Sequence, residues 1–240
     1  MNPLNVLHLS RAKGASDGGV ATAVSELLYH QNKLDTLDAK WATPSDHYFL
    51  RSHIISTSPA ILHLHGLWSS PNRTVARLHN RFPLIIAPHG MLDSWAFAHH
   101  YHRKRLLWLL YEYKLLQSAR AIHALCDSEI REIRSLNITT PVALIPNGVD
   151  LPDPTNILPS PPWFGRIPQD ARVVLFLGRY HSKKGIQPLI KAWHALASSV
   201  REDNWWLVFV GYGDNGILKQ QLLHTPIPNL LVCDPAFGSV

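Results

Sequence analysis

Short apolar runs alternate with amphipathic segments along most of this 240-residue chain. The runs are rich in branched and aromatic residues, a pattern typical of strands buried on both faces of a sheet. Apolar residues at helical spacing follow many of them, as at Leu189 and Trp193 after the run 173–177. The alternation predicts an α/β fold in which parallel sheets carry helices on both faces. The predicted strands begin at Val6, Ala39, Ile61, Leu84, Ala121, Val142, Val173, Trp206 and Asn229.

Two segments interrupt this alternation. The stretch between the second and third strands, up to Ser58, has no clear period and is predicted as a loop. Residues 151–171 are rich in proline and are predicted as a linker or a stiff surface crossing. We therefore expect an N-terminal domain over 1–150 and a second domain over 172–240, with a helix over 217–223. The second domain is short and is expected to be incomplete.

Composition limits the class of protein and the kind of partner. Hydrophobic residues make up 46% and charged residues 17%, which favours a packed core over disorder. The net charge of +6 favours an anionic partner, which composition alone leaves open between phosphate, nucleic acid and membrane headgroups. Cys126 and Cys233 lie in apolar surroundings and are expected to be buried thiols of a reduced, cytoplasmic protein. Neither a signal peptide nor a run of about 18 apolar residues is visible, so the protein is expected to be soluble or to rest on a membrane.

The best candidate for an anion site follows the strand at 173–177. Gly178 ends the strand, and Arg179, Lys183 and Lys184 come before Gly185 and an amphipathic helix. Free backbone N–H groups, the positive end of a helix dipole and a guanidinium together suit a diphosphate. The alternative is that the two lysines are simply solvated loop residues.

The order strand, Gly-Arg, Lys-Lys-Gly, helix resembles the donor-binding loop of the group 1 (family four) retaining glycosyltransferases, which have the GT-B fold of two Rossmann-like domains. The resemblance implies that Arg179 and Lys184 hold the diphosphate of a nucleotide sugar. It also implies that Gly18-Gly19 lies against the donor phosphates and sugar, although a glycine pair alone indicates only a tight turn. The resemblance also includes a Gly-x-Gly turn, which lies at the nucleotide base in the family. It implies that Gly211 and Gly213 are donor-binding positions.

A pair of histidines lies on the strand that begins at Ile61. His63 and His65 are two residues apart and therefore share a face of the strand. Such a pair can bind a metal, but no nearby carboxylate, cysteine or third histidine has ligand spacing, so no metal is expected. In the family a similar strand ends in His-Gly at the inter-domain cleft, which implies that His65 and Trp68 lie on the acceptor side.

A third histidine follows the strand that begins at Leu84. His89 stands at the carboxyl end of a predicted parallel strand, where such sheets bind ligands. A structural loop histidine is the alternative. The motif Pro-His-Gly-Met-Leu with a tryptophan close behind is typical of one branch of the group 1 transferases, and it implies that His89 is a catalytic residue beside the transferred sugar. A neutral imidazole can donate to or accept from a sugar hydroxyl near pH 7.

Residues 99–116 form a basic cluster that runs into a strongly apolar helix. Packing of Leu106, Leu109, Leu110 and Tyr113 in the core is one interpretation. Contact with an anionic membrane surface is another, and steering of an anionic acceptor is a third. In the resembling family, membrane contact is common when the acceptor is lipid-linked.

Further along, Glu129 and Glu132 fall on a predicted helix and are expected to be solvated surface residues.

The resemblance implies a glycosyltransferase that moves a hexose-like unit, with retention, from a nucleotide sugar to a sugar or lipid-linked acceptor in polysaccharide or glycoconjugate synthesis. No cofactor beyond the donor and no nucleic acid partner are expected, and the protein is expected in the cytoplasm or at the inner membrane face. The glutamate that family members use on the donor sugar has no counterpart before Val240, so this chain is expected to be truncated and inactive alone. The alternative is a non-catalytic protein that binds polyanions through the same basic loops, in a salt-dependent manner.

Overall fold

The computed structural model describes residues 3–12, 18–42, 47–78, 81–151, 155, 160–213 and 227–235. The chain divides into two compact units, Met1–Asp150 and Leu151–Val240. Each unit has its own parallel sheet, and the second sheet is the smaller one. The predicted α/β fold with two parallel sheets is therefore confirmed. Within the described residues, no helix is both long and apolar enough to cross a membrane.

The first unit contains a six-stranded parallel sheet in the order β2-β1-β3-β4-β5-β6. Helices connect most of its strands, as the alternation of the sequence predicts. The strands are β1 (Leu4–Ser10), β2 (Leu37–Ala42), β3 (Ile61–His65), β4 (Leu84–Ala87), β5 (Ala121–Ala124) and β6 (Val142–Leu144). The helices are α1 (Gly19–Gln31), α2 (His47–Thr57), α3 (Ser70–Ala76), α4 (Ser94–Ala98), α5 (Tyr101–Leu107), α6 (Tyr113–Ser118) and α7 (Asp127–Ser135).

The central strands of this sheet are buried on both faces. Leu7 and Leu9 are fully buried on β1, and His8 between them is fully buried on the opposite face. The same holds on β3, where Leu62 and Leu64 alternate with buried histidines. The sheet therefore carries polar rings on one of its buried faces, and these rings need hydrogen-bond partners inside the protein.

The second unit contains a three-stranded parallel sheet in the order β7-β8-β9. Its central strand is fully buried at Leu207, Val208 and Phe209. Its elements are β7 (Arg172–Leu177), a short 3₁₀ turn (Ser182–Lys184), α8 (Ile186–Ala195), α9 (Ala197–Glu202), β8 (Trp205–Val210) and β9 (Leu230–Cys233).

The prediction that β7 is buried on both faces is wrong. Leu175 is 43% exposed and Leu177 is 68% exposed, because β7 is an edge strand of a small sheet. Trp163 and Ile167 pack in the same cluster as Val173, which covers the beginning of that face only. An apolar run therefore identified the strand correctly but overestimated its burial.

Two other expectations need correction, and one falls outside the described residues. The segment predicted as a loop before Ser58 contains α2, which buries Leu50 and Ile54 at helical spacing. Among residues 49–57 of this helix only these two are buried, so its periodicity is weak in the sequence. Cys126 is exposed, because it precedes the first turn of α7, whereas Cys233 is buried, and both are free thiols. The helix predicted over 217–223 lies outside the described residues.

The burial of α2 can be tested with two adjacent isoleucines. Ile54 is fully buried and Ile55 is 42% exposed. We expect Ile54→Ala to lower the free energy of unfolding by about 2–5 kcal/mol, and Ile55→Ala to change it by only about 0.5 kcal/mol. Urea denaturation of the two variants measures the difference. Equal losses would show that α2 does not pack as described.

Candidate functional site

Histidines from four neighbouring strands meet near the carboxyl edge of the first sheet. His8 lies on β1, His63 and His65 on β3 and His123 on β5, while His89 follows β4 by two residues. The parallel register pairs His8 with His63, so these two rings lie side by side on one face. Because the carboxyl ends of parallel strands share one edge, the sheet brings these residues together although they are far apart in the sequence.

A chain of hydrogen bonds joins three of these histidines to a glutamine. His8 Nε2 lies 2.7 Å from Gln31 Oε1, and His8 Nδ1 lies 2.9 Å from His65 Nε2. His65 Nδ1 lies in turn 3.0 Å from His89 Nε2. The amide oxygen of Gln31 can only accept, so His8 must carry its proton on Nε2. In a chain of neutral rings, His65 Nε2 then donates to His8, His89 Nε2 donates to His65, and His89 Nδ1 keeps a lone pair.

Burial keeps these rings uncharged. It lowers the pKa of His65 well below the ordinary value, and nearby histidines lower it further. Burial, assisted by His123, lowers the pKa of His89 to about 4. His89 is therefore a neutral imidazole at physiological pH, with Nδ1 able to accept a hydrogen bond or a proton.

The turn that carries His89 is strained and is held by a buried carboxylate. His89 and Gly90 have φ values of 54° and 68°, in the left-handed region that a histidine rarely adopts. Glu129 Oε1 accepts from Gly90 N at 2.7 Å, and Glu129 Oε2 accepts from Leu125 N at 2.8 Å. The carboxylate thus fixes both loops that follow β4 and β5.

The expectation that Glu129 is solvated is wrong, because its residue is only 2% exposed. A signal was present in the sequence. Glu129 is the third residue of the predicted helix, where a glutamate often reaches back to backbone N–H groups before the helix. Glu132, in contrast, is half-buried on the same helix.

The buried histidines His8, His63, His65 and His89 form a row, and a cavity of about 520 Å³ opens beside it. His65 and Trp68 both line it, together with the cationic side chains Arg11, Arg103 and Lys104. Trp68 Nε1 is buried and has no partner among the described residues. The cavity therefore offers an aromatic ring and positive charge, which suit a sugar that carries an anionic group.

A second buried carboxylate supports the wall of this cavity. Glu112 Oε1 accepts from Trp68 N at 2.7 Å, and Glu112 Oε2 accepts from Asn72 Nδ2 at 3.3 Å. Burial raises the pKa of Glu112 to about 7, although both hydrogen bonds oppose the shift. Glu112 ends a π-helical stretch, Trp108–Glu112. Such stretches often accompany functional sites, and no pattern in the sequence predicted this one.

The apolar segment beyond the cavity is largely exposed. Leu106, Leu109 and Leu110 are 57%, 68% and 62% exposed, so core packing of these three leucines is wrong. Tyr113 does pack against the core, as that interpretation expected. The leucines stay exposed because they share α5 and the π-helical stretch with Arg103 and Arg105 on a solvent-facing surface.

Gly18 and Gly19 begin α1 in the first unit. Gly18 has a φ of 101°, which requires a glycine, and its carbonyl accepts from Thr22 N at 3.1 Å. A Cβ added to either glycine would meet no described residue within 4 Å.

In the second unit, the two glycines predicted at the nucleotide base lie against the basic loop. A Cβ on Gly211 would overlap the carbonyl oxygen of Gly178. Gly213 forms a parallel bridge with Tyr180, and a Cβ there would lie 3.0 Å from the Tyr180 carbonyl oxygen. Glycine is therefore needed at both positions so that the loops after β7 and β8 can pack together.

The cations of this loop are exposed around a helix N-terminus. Arg179 and Lys184 are both exposed, and Gly185, with a φ of 68°, turns the chain into α8. Gly178, with a φ of 149°, leaves β7 in a conformation that favours glycine. The loop therefore presents positive charge and the first N–H groups of α8 to solvent, which is an arrangement that binds phosphate groups.

Comparison with known proteins places two family matches on these units. Residues 18–152 match the family described as Glycosyltransferase Family 4, and residues 162–228 match the family described as Glycosyl transferases group 1. No protein of curated function matches the sequence.

Two solved structures show what fold the chain shares. Sucrose-phosphate synthase from Thermosynechococcus elongatus is similar with a TM-score of 0.72 at 13% identity, over 97% of this chain and 71% of that one. UDP-GlcNAc 2-epimerase from Neisseria meningitidis, solved with UDP-GlcNAc, is similar with a TM-score of 0.57 at 12% identity, over 96% of this chain and 72% of that one. At these identities the likeness concerns the fold alone.

The lowered pKa of His89 predicts a specific pH dependence of stability. The unfolded chain binds a proton at the ordinary pKa of 6.5, whereas folded His89 does so only near 4. Stability is therefore lost as the pH falls from 6.5 towards 4. Asparagine also tolerates the left-handed turn. Between pH 6.5 and 4 the free energy of unfolding of His89→Asn should fall less steeply than that of the unchanged protein, by up to about 1.4 kcal/mol per pH unit. Urea denaturation at several pH values measures this.

The exposed His102 provides the control for this experiment. His102→Asn should follow the pH dependence of the unchanged protein. Parallel curves for His89→Asn and the unchanged protein would show that His89 is not held neutral by the fold.

Proposed function

The chain belongs to glycosyltransferase family 4, and we propose that it transfers a hexose-like sugar, with retention, from a nucleotide sugar to a sugar or lipid-linked acceptor. The observation that carries this proposal is the exposed Gly-Arg, Lys-Lys-Gly loop in front of α8, inside the segment that matches the group 1 transferases. The product belongs to polysaccharide or glycoconjugate synthesis, and the protein works in the cytoplasm or at the inner membrane face.

Arg179 and Lys184 hold the diphosphate of the donor. In the reaction, an acceptor hydroxyl oxygen bonds to the anomeric carbon, and the bond from that carbon to the diphosphate oxygen breaks. The hydroxyl proton leaves to a phosphate oxygen. Negative charge grows on the departing diphosphate, and the two cations together with the N–H groups of α8 stabilise it electrostatically. This leaves the diphosphate without need of a bridging metal ion.

The other predicted site residues have separate tasks. Gly18 and Gly19 carry no side chain at the N-terminus of α1, so that donor groups approach the backbone closely. Gly211 and Gly213, which let the loops after β7 and β8 pack together, belong to the turn proposed for the nucleotide base. His89 orients a sugar hydroxyl through the lone pair on Nδ1, and its neutral state makes it an acceptor across the physiological pH range.

The cavity lined by His65 and Trp68 takes the acceptor. The aromatic ring of Trp68 suits the apolar face of a sugar. The cations Arg11 and Arg103 favour an acceptor that carries phosphate or another acidic group. A lipid-linked sugar diphosphate has both features.

The exposed leucines next to this cavity fit the same acceptor. Leu106, Leu109 and Leu110 can enter the interface of a membrane, while Arg103 and Arg105 meet anionic headgroups. Segment 99–116 thus forms a peripheral membrane contact that brings the cavity to a membrane-bound acceptor.

Incubation of the chain with a panel of labelled nucleotide sugars and lipid-linked or free sugar acceptors tests the proposed reaction. Label in the acceptor or, without acceptor, as free sugar, with one or a few donors preferred, would show that this chain carries out the proposed reaction. A chain that neither binds any nucleotide sugar nor removes its sugar above a blank without protein would contradict the proposal.

Removal of one cation should weaken donor binding specifically. Arg179→Ala should weaken nucleoside-diphosphate binding by about 1.5–3 kcal/mol, the value of a charge-assisted hydrogen bond. Lys191→Ala is the matched control, because Lys191 is exposed on α8 and its loss changes the net charge equally. Calorimetric titration measures both. Equal affinities for Arg179→Ala and the control would remove Arg179 from the site.

The membrane contact is tested by changing two leucines to serine. Leu109 and Leu110 are mostly exposed, so the double substitution should leave the melting temperature nearly unchanged. Co-sedimentation with anionic phospholipid vesicles should weaken by at least about tenfold for each leucine that enters the interface. Leu34→Ser, at an exposed position outside this segment, serves as the control. Unchanged co-sedimentation of the double variant would exclude contact through these leucines.

A further inference from the structure

Three histidines of the row converge inside the first sheet. His8, His63 and His65 are 0%, 6% and 3% exposed. One ring nitrogen from each lies within 4.8 Å of the other two. The rings approach closely, with His63 and His65 centred 4.1 Å apart and His8 and His63 centred 5.0 Å apart.

One of these rings has an unmet hydrogen-bonding need. His63 Nε2 is buried and has no partner among the described residues. A buried polar atom without a partner is costly, and most such atoms in folded proteins find one. The hydrogen-bond chain of His8 and His65 leaves this atom out.

In each of the other two rings, a hydrogen bond fixes the outer nitrogen. His8 Nε2 is fixed by Gln31 Oε1, and His65 Nδ1 is fixed by His89. Their remaining nitrogens, His8 Nδ1 and His65 Nε2, therefore face each other. Metal-binding histidines characteristically have the outer nitrogen held by such a partner, which orients the inner nitrogen towards the ion.

We propose that His8, His63 and His65 form a site for a first-row divalent metal ion, with zinc as the reference ion. Imidazole nitrogens suit zinc, and three such ligands leave one position open to solvent. Zinc–nitrogen bonds of about 2.0–2.1 Å place tetrahedral ligand atoms about 3.4 Å apart. Small side-chain movements therefore suffice from the present arrangement. His65 also lines the cavity, which gives the ion a path from solvent.

The chemistry of the rings favours this site. A neutral imidazole binds a metal ion through the lone pair of one ring nitrogen and keeps its proton on the other. In His65 the proton must therefore move from Nε2 to Nδ1. The ion also gives His63 the partner that it lacks. The donor diphosphate is proposed to bind elsewhere, at the loop of the second unit.

Spacing along the sequence could not reveal this site. His63 and His65 formed a pair without a third ligand, and for that reason no metal was expected. The third ligand, His8, comes from the neighbouring strand and reaches the pair only through the register of β1 with β3.

Ion binding changes the tautomers of the hydrogen-bonded histidines. With zinc on Nε2, His65 must carry its proton on Nδ1 and donate to His89 Nε2. His89 then carries its own proton on Nδ1, so the atom that accepts without metal becomes a donor. This last consequence rests on the proposed role of His89, whereas metal binding itself does not.

Calorimetric titration of the full chain with zinc chloride tests the site. The exposed group Glu26, His30 and Asp150 could also take an ion, so the experiment uses His30→Ala as its reference protein. This reference should bind one zinc ion per chain. His63→Leu in the same background should weaken zinc binding by at least about tenfold, as should Gln31→Leu, which removes only the partner behind His8. His123→Asn, outside the three-ligand group, should leave zinc binding unchanged.

His63→Leu removes the unpartnered nitrogen, so this variant should melt no lower than the His30→Ala reference when metal is absent. If it does not fold, Gln31→Leu decides the question. No zinc binding by the reference protein, or equal binding by the reference and Gln31→Leu, would overturn the proposal. A second readout is the ¹⁵N spectrum of the ring nitrogens, in which zinc should change the tautomers of His65 and His89. Unchanged tautomers in the presence of one bound zinc ion would place that ion elsewhere.

Discussion

The first unit depends on keeping a row of buried imidazoles neutral and hydrogen-bonded. A charged ring in the middle of a parallel sheet would cost several kcal/mol unless it were paired. Gln31 gives the row a neutral acceptor, and from it the proton positions of His8, His65 and His89 follow in turn. One amide in the last turn of α1 thereby determines which nitrogen of His89 is free to meet a ligand.

Buried carboxylates stabilise two strained turns. His89 and Trp68 both have left-handed φ values, and residues in this conformation persist only when their surroundings hold them. Glu129 accepts a hydrogen bond from Gly90 N–H in the turn of His89, and Glu112 accepts one from Trp68 N–H in the second turn. Buried carboxylates thus position Trp68, which lines the cavity, and His89, which lies outside its lining.

The sequence predicted the parts of this protein that depend on local order. Apolar runs located the strands, and the Gly-Arg, Lys-Lys-Gly order located the exposed basic loop in front of α8. Features that depend on strand register or on packing between elements were missed. The hydrogen bond of His8 to His65 arises only when β1 pairs with β3, and the role of Glu129 arises only when α7 packs against the turn after β4. Exposure was also misjudged at Leu109, because a long apolar segment looks the same whether it faces the core or solvent.

We propose that this chain recognises a nucleotide sugar and does not simply attract polyanions. Calorimetric titration of the full chain with a panel of nucleoside diphosphates and with tripolyphosphate, at about 50 and 200 mM salt, distinguishes the two. We expect one site per chain that prefers one nucleoside diphosphate over the more highly charged tripolyphosphate at both salt concentrations. Binding that is tightest for tripolyphosphate, shows no preference among bases and falls steeply with salt for all ligands would contradict it.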